Sequence, residues 1–253
     1  MMQFRKLIGV LLLLVVPVAW AESYDDVPLL KAPINLADLP SLQRGAKMYI
    51  NYCSGCHSLN FMRYNRLASD IGIEDKQVVK DSLIFTGAKI TDTLQIAMQK
   101  EDAKSWFGVT PPDLSVIARA RSADWLYTYL LSFYQDNSRP WGVNNLVFNE
   151  TAMPDVLANL RGVQAPIYST KTLEMDGVPR TIKVIDHLAL IEHGEMYPEQ
   201  FNAVVGDLVN FLVYVGEPSR REREHLGLWV IEYLLIFAVL AYLLKRAYWK
   251  YVK

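Results

Sequence analysis

Both cysteines of this 253-residue chain fall in one stretch, NYCSGCHSLN at residues 51–60, with one of its four histidines directly after the second. Nothing else limits the fold as strongly, because the rest of the molecule has to enclose whatever Cys53, Cys56 and His57 bind. Three chemistries use such a group. Structural zinc needs four ligands in a tetrahedron, but there is no second cysteine pair, and His187, His193 and His225 show no paired spacing. A thioredoxin-like dithiol wants a strand, a turn and a helix in that order, whereas Cys53 follows a helical pattern and the motif ends in His57. Covalent attachment of a c-type haem uses all three residues: two thioethers clamp one edge of the porphyrin and the adjacent imidazole is directed under the iron. One motif means one haem c, with His57 as an iron ligand.

The two ends of the chain set its compartment. Arg5 and Lys6 precede an apolar run over residues 7–16, and Ala19-Trp20-Ala21 offers small residues where a signal peptidase reads; residues 1–21 are predicted to be a secretory signal peptide. An uncleaved anchor is disfavoured because that run is short for a bilayer. At the other end LGLWVIEYLLIFAVLAYLL, residues 226–244, has the ~20 apolar residues a membrane span requires. Trp229, Tyr233, Tyr242, Tyr248 and Trp249 suit interfacial belts, and Lys245, Arg246, Lys250 and Lys253 make a basic tail over 245–253. Positive-inside logic leaves that tail in the cytoplasm and residues 22–225 outside, the side the signal peptide also demands. The expectation is a single-pass protein of a bacterial inner membrane with its haem domain in the periplasm. Glu232, the ionisable group inside the span, either faces a partner helix or reaches the headgroups. With two cations in the first 21 residues and a surplus of three from 226 onward, the net charge of −1 leaves −6 on residues 22–225. Such a balance suits a basic partner or simply a solubilising surface, and argues against nucleic acid.

Between the ends, prolines 28, 33 and 40 mark an extended arm over residues 22–40. A helix is expected from Ser41, capped by that hydroxyl, with Leu42, Ala46, Tyr49, Ile50 and Cys53 at helical spacing. Short helical patterns cover residues 75–85 and 91–99. TPPDLSVIARA, residues 110–120, reads as a helix start with its prolines in the first turn and Asp113 near the positive end. An aromatic helix is expected over 123–134, loops over 137–185 with a short strand pair between 171–174 and VPRTIKV, and a helix over 198–216 with Phe201, Val204, Val205, Leu208, Phe211 and Leu212 on one side. No repeat or low-complexity tract is visible, so one exported domain plus an anchor accounts for the chain.

What the haem does depends on its sixth ligand. Methionine raises the potential and closes the iron, which suits electron transfer; an open face suits a peroxidase or gas sensor. Met48 and Met62 lie too near His57 in sequence to reach the opposite face. Met153, in the turn-rich FNETAMPDVL and stiffened by Pro154, is the first candidate, with Met98 and Met196 as alternatives.

The run QRGAKMYINYCSGCHSLNFMRY, then PPDLSVIARAR, AMPDVL and FLVYVGEP before a charged link and a terminal span, resembles the cytochrome c1 family of bacterial bc1 complexes in order along nearly the whole exported part. The resemblance implies a mainly α, class I cytochrome c-type fold with insertions, and His57 and Met153 as axial ligands. It implies Arg121 at a haem propionate, Pro111 and Pro112 at the haem edge with a carbonyl on the His57 Nδ1 proton, and Trp125 beside the haem. Gly45 and Tyr49 would cross the 201–212 face. Function follows as a further implication: one electron taken from a Rieske iron–sulfur protein, beside cytochrome b, and passed to a periplasmic c-type cytochrome in a dimeric quinol–cytochrome c oxidoreductase. The chain itself is then a carrier, with quinol oxidation in other subunits. The chain departs from mitochondrial members in lacking the longer lead-in before PPDLS, and with both cysteines on haem no disulfide is possible. Two other readings stay open: a haem peroxidase or gas sensor with an open distal site, and an anchored shuttle serving another oxidase.

Overall fold

The computed structural model describes residues 27–84, 87–175 and 178–250; the expected signal peptide and the last three residues of the basic tail lie outside them. Helix α1 (Leu39–Met48) crosses α8 (Pro198–Gly216), and the crossing is set by what Gly45 lacks. A Cβ there would lie 2.1 Å from the Asp207 carbonyl oxygen and 2.6 Å from Phe211 Cβ, so the two backbones touch. Around this point Arg44 forks onto Asp207 at 2.6 and 2.9 Å, and the Tyr49 and Phe211 rings sit 5.7 Å apart. Leu42, Ala46, Phe201, Val205, Leu208 and Leu212 fill the core between them.

The α1 cap differs from expectation. Asp38, not Ser41, accepts the Ser41 N–H, with Pro40 in a first turn that needs no donor from it. The Ser41 hydroxyl is buried and accepts from Asn210 of α8 instead. The same amide exchanges two hydrogen bonds with the Asn35 backbone, which fastens the N-terminal arm to the core.

After α1 the chain widens into a π-helical turn (Tyr49–Cys53) and leaves as strand β1 (Leu59–Arg63), antiparallel to β2 (Thr93–Leu94). Helices α2 (Tyr64–Asp70) and α3 (Lys76–Leu83) intervene, α3 capped by Asp75. The helix expected at 91–99 is absent: that stretch holds β2, and the Ile96 N–H goes to the Ser58 hydroxyl. Helix α4 (Lys100–Phe107) ends on Gly108 at φ 77°. Nor do the prolines open a helix at 110. Asp113 turns its carboxylate to the Asn60 and Ser115 amides, and α5 (Ile117–Arg121) starts only afterwards. Helix α6 (Ala123–Leu131) stops short of Tyr134 because buried Asn145 takes the Tyr129 carbonyl and Phe133–Gln135 pairs as β3 with β4 (Val143–Asn145).

The region expected to be loops holds α7 (Ala158–Arg161) and a long hairpin, β5 (Gly162–Met175) with β6 (Val178–His193). The expected pairing of 171–174 is present near its tip (Lys171 opposite Ile182), but the ladder runs down to Gly162 opposite His193 with two irregularities. Helix α8 begins at Pro198 and ends at Gly216 as its periodicity indicates. Helix α9 (Arg220–Trp249) outruns the apolar span at both ends, its charged first turns braced by the Arg220 to Glu224 pair at 2.7 Å. Among the described residues it is the one helix long and apolar enough to cross a membrane; an 18-residue stretch of it has a mean hydropathy of 2.2, and none of that stretch is buried.

Candidate haem site

The amides of Cys56 and His57 both reach back to the Cys53 carbonyl, at 3.0 and 2.9 Å, so two thiols and an imidazole leave one turn. The Tyr49 hydroxyl, anchored in the α1–α8 crossing, donates to the His57 carbonyl at 2.5 Å. Both cysteines are free, and burial pushes the thiols up, Cys53 to about 12. Among the described residues no three of His, Cys, Asp and Glu gather as a metal-binding group.

His57 is held by the ring nitrogen nearer its backbone. Nδ1 lies 2.7 Å from the Pro112 carbonyl, which can only accept, so Nδ1 carries the proton and Nε2 keeps its lone pair. Burial lowers the pKa of the ring, against the opposing pull of Pro112 and Asp113, and favours the neutral imidazole that a metal needs. The segment around Pro112 is itself stitched to the attachment loop: Leu114 N–H to the Ser58 carbonyl, Asn60 N–H to Asp113, Phe61 N–H to the Ser115 hydroxyl. Pro111 is half-buried just ahead of it.

Met153 lies in a second group. The Tyr129 hydroxyl is 3.5 Å from its Sδ and 2.9 Å from the Thr151 hydroxyl, which also accepts the Met153 N–H. Trp125 stacks on Tyr129 with centroids 5.0 Å apart and planes 8° from parallel, and the Arg121 guanidinium lies over Trp125 at 5.2 Å and Phe148 at 5.8 Å. Arg121, Trp125, Tyr129, Phe148 and Met153 therefore form one cluster. It joins the His57 group through the chain that runs from Pro112 along α5 into α6. Of the other methionines, Met62 is sealed in the core, Met48 and Met196 pack against it, and Met98 is half-buried.

Tyr129, Thr151 and Asn145 were not singled out from the sequence. Four-residue spacing from Arg121 through Trp125 to Tyr129 is a signal that could have found the first. Asn145 has none: its Oδ1 takes the Val147 and Phe148 amides and shapes the loop that leads to Met153. A paired-thiol turn, an imidazole with a free Nε2 and a half-buried thioether sulfur fit one covalently attached haem c.

A family model described as the Cytochrome C1 family matches residues 30–252. Cytochrome c1 of Allochromatium vinosum is 47% identical over 246 residues, 97% of this chain and 98% of the relative. A Nitrosomonas europaea protein named ammonia monooxygenase gamma subunit is 48% identical over 240 residues, 95% of each chain. The Bradyrhizobium diazoefficiens protein named cytochrome b/c1 is 26% identical over 241 residues, 86% of this chain and 34% of its own length. With the family match running from the N-terminal arm through the terminal helix, the chain belongs to the cytochrome c1 family.

Proposed function

We propose that this chain is the electron-transfer haem subunit of a cytochrome bc1 complex, taking one electron at a time from a Rieske iron–sulfur protein and passing it to a periplasmic c-type cytochrome. The observation that carries this is the His57 Nδ1 bond to the Pro112 carbonyl, which leaves Nε2 free as a fixed, neutral ligand. The bound haem supplies a one-electron iron couple. Cys53 and Cys56 would tether it, His57 and Met153 would ligate its iron, and Arg121 would take a propionate with the planar fork that suits a carboxylate. Trp125 forms an apolar wall, and Pro111 and Pro112 line the exposed edge. Methionine opposite histidine raises the potential and leaves no position for a small molecule, the properties of a carrier and not of a peroxidase or sensor.

Residues 1–21 are a signal peptide, 22–225 a periplasmic domain, 226–244 the span and 245–253 a cytoplasmic tail of a bacterial inner-membrane protein. The basic residues after the span support this orientation. The relative whose name joins cytochromes b and c1 supports cytochrome b as a neighbour, in a complex that we take to be dimeric. The relative named for ammonia monooxygenase raises a second reading, an anchored haem protein serving an oxygenase. Affinity purification of the full chain from its own membranes in mild detergent separates the two. Co-purification of a b-type cytochrome and an iron–sulfur protein is expected; recovery with an oxygenase and without either would overturn the proposal.

A further inference from the structure

We infer that Asp155 and Arg161 are positioning residues for Met153, a buried ion pair that holds the thioether loop against the end of α6 and the base of the β5–β6 hairpin. The inference rests on the reading of Met153 as an axial ligand. Asp155 stands two residues after Met153. Its carboxylate accepts from Arg161 Nη2 and from the Leu157 amide, and the two side chains of the pair are only 6% and 7% exposed. From the same guanidinium, Nη1 reaches the Leu130 carbonyl of α6 at 3.5 Å and Nε the Gly162 carbonyl at 3.4 Å, where β5 begins. Its centre lies 5.8 Å from the Phe201 ring of α8. The Arg161 carbonyl takes the Gly194 amide where the hairpin returns. One side chain thus touches four segments, and the residue before Leu130 is Tyr129, whose hydroxyl lies against the Met153 sulfur.

The choice of charge here needs a reason, because well-packed apolar residues of the same volume hold a core as well or better. An ion pair adds direction and a penalty for separation. If the loop swung out it would carry Asp155 away and strand a buried guanidinium, so the arrangement with the sulfur withdrawn is disfavoured. A neutral thioether is a weak donor, and the fraction of time it is bound depends on how rigidly its loop presents it. The hairpin base enters the same clamp. A Cβ on Gly162 would stand 2.0 Å from the Glu192 carbonyl oxygen, and one on Gly194 2.5 Å from that of Leu160, so the clamp rests on a backbone with no slack.

The test uses the full, haem-loaded chain in detergent. Asp155→Asn/Arg161→Met, which removes the pair without stranding a charge, should keep one covalent haem but shift the midpoint potential downward and gain carbon monoxide binding in the reduced state. Arg161→Lys, which keeps the charge and loses the fork, should shift both in the same direction by less. A wild-type potential with no carbon monoxide binding in the double variant overturns the inference, as would lowered thermal stability alone; if the double variant does not accumulate, Arg161→Lys decides by the same readings. Met153→Leu is the control. If it fails to bind carbon monoxide, the ligand reading itself falls; if it binds while the pair variants behave as wild type, only the positioning role falls.

Discussion

The His57 and Met153 sides of the site are built by different means. His57 is four residues from the buried Cys53, its turn closes on itself, and three separate hydrogen bonds tie its neighbours to residues 113–115 in addition to its own bond to Pro112. Met153 sits in a segment without regular structure, and the loop around it is shaped by a few buried polar groups close to it in sequence: Asn144, Asn145 and the Asp155–Arg161 pair. One side is held by several independent bonds; the other has few spares. Damage to the site should therefore appear first as a change at the sixth ligand, with the haem still attached.

The largest expected effect strikes the scaffold beneath both. Gly45→Val drives a side chain into the Asp207 backbone and should cost at least about 3 kcal/mol, read as a lower unfolding temperature and a reduced yield of haem-bearing protein. Asn145→Ala breaks the distal side alone. It leaves the Val147 and Phe148 amides without their partner and takes one of its donors from the Tyr129 carbonyl, a loss of about 2 kcal/mol. Carbon monoxide binding should appear in the reduced protein at unchanged haem content; haem loss without it would reverse the ranking of the two sides.

Asp113→Ala probes the redundancy of the proximal side. It removes the Asn60 and Ser115 contacts but leaves the Leu114 to Ser58 and Phe61 to Ser115 bonds, so about 1 kcal/mol of stability should go and the reduced spectrum should not change.

The smallest effect lies away from the site, in the arm. The Ala32 amide, helped by Lys31, holds the Asp124 carboxyl below the usual carboxylate range. A folded-state pKa below the unfolded one means that this contribution is present above the ordinary value near ~4 and is lost as pH falls through the folded value. Hydrogen-exchange protection at Ala32, normalised for intrinsic rate, should fall below about pH 4. Asp124→Asn should remove that pH dependence.

How much of this was legible in the sequence depends on how far apart the partners of each contact lie. The attachment turn, the α8 face and the terminal apolar helix are written in short-range spacing, and each lies where that spacing puts it. Arg121 and Trp125 entered through family resemblance, and the structure gathers them with Met153 around Tyr129. What was misread is polar and non-local. Ser41 looked like a cap but serves Asn210, 169 residues away. Asp113 looked like a helix-terminus charge but serves Asn60 across the attachment loop. The length of the hairpin below its expected tip escaped because a two-stranded ribbon has no buried face to impose strict alternation: Ile167, Tyr168 and Ile191 are all exposed.

The central claim is that His57 and Met153 ligate one haem and close its iron. Carbon monoxide added to the dithionite-reduced wild-type chain and to Met153→Leu tests it most directly. An unchanged wild-type spectrum with a shifted one in the variant is the expected result, whereas carbon monoxide binding by the wild type, or none by the variant, would contradict it.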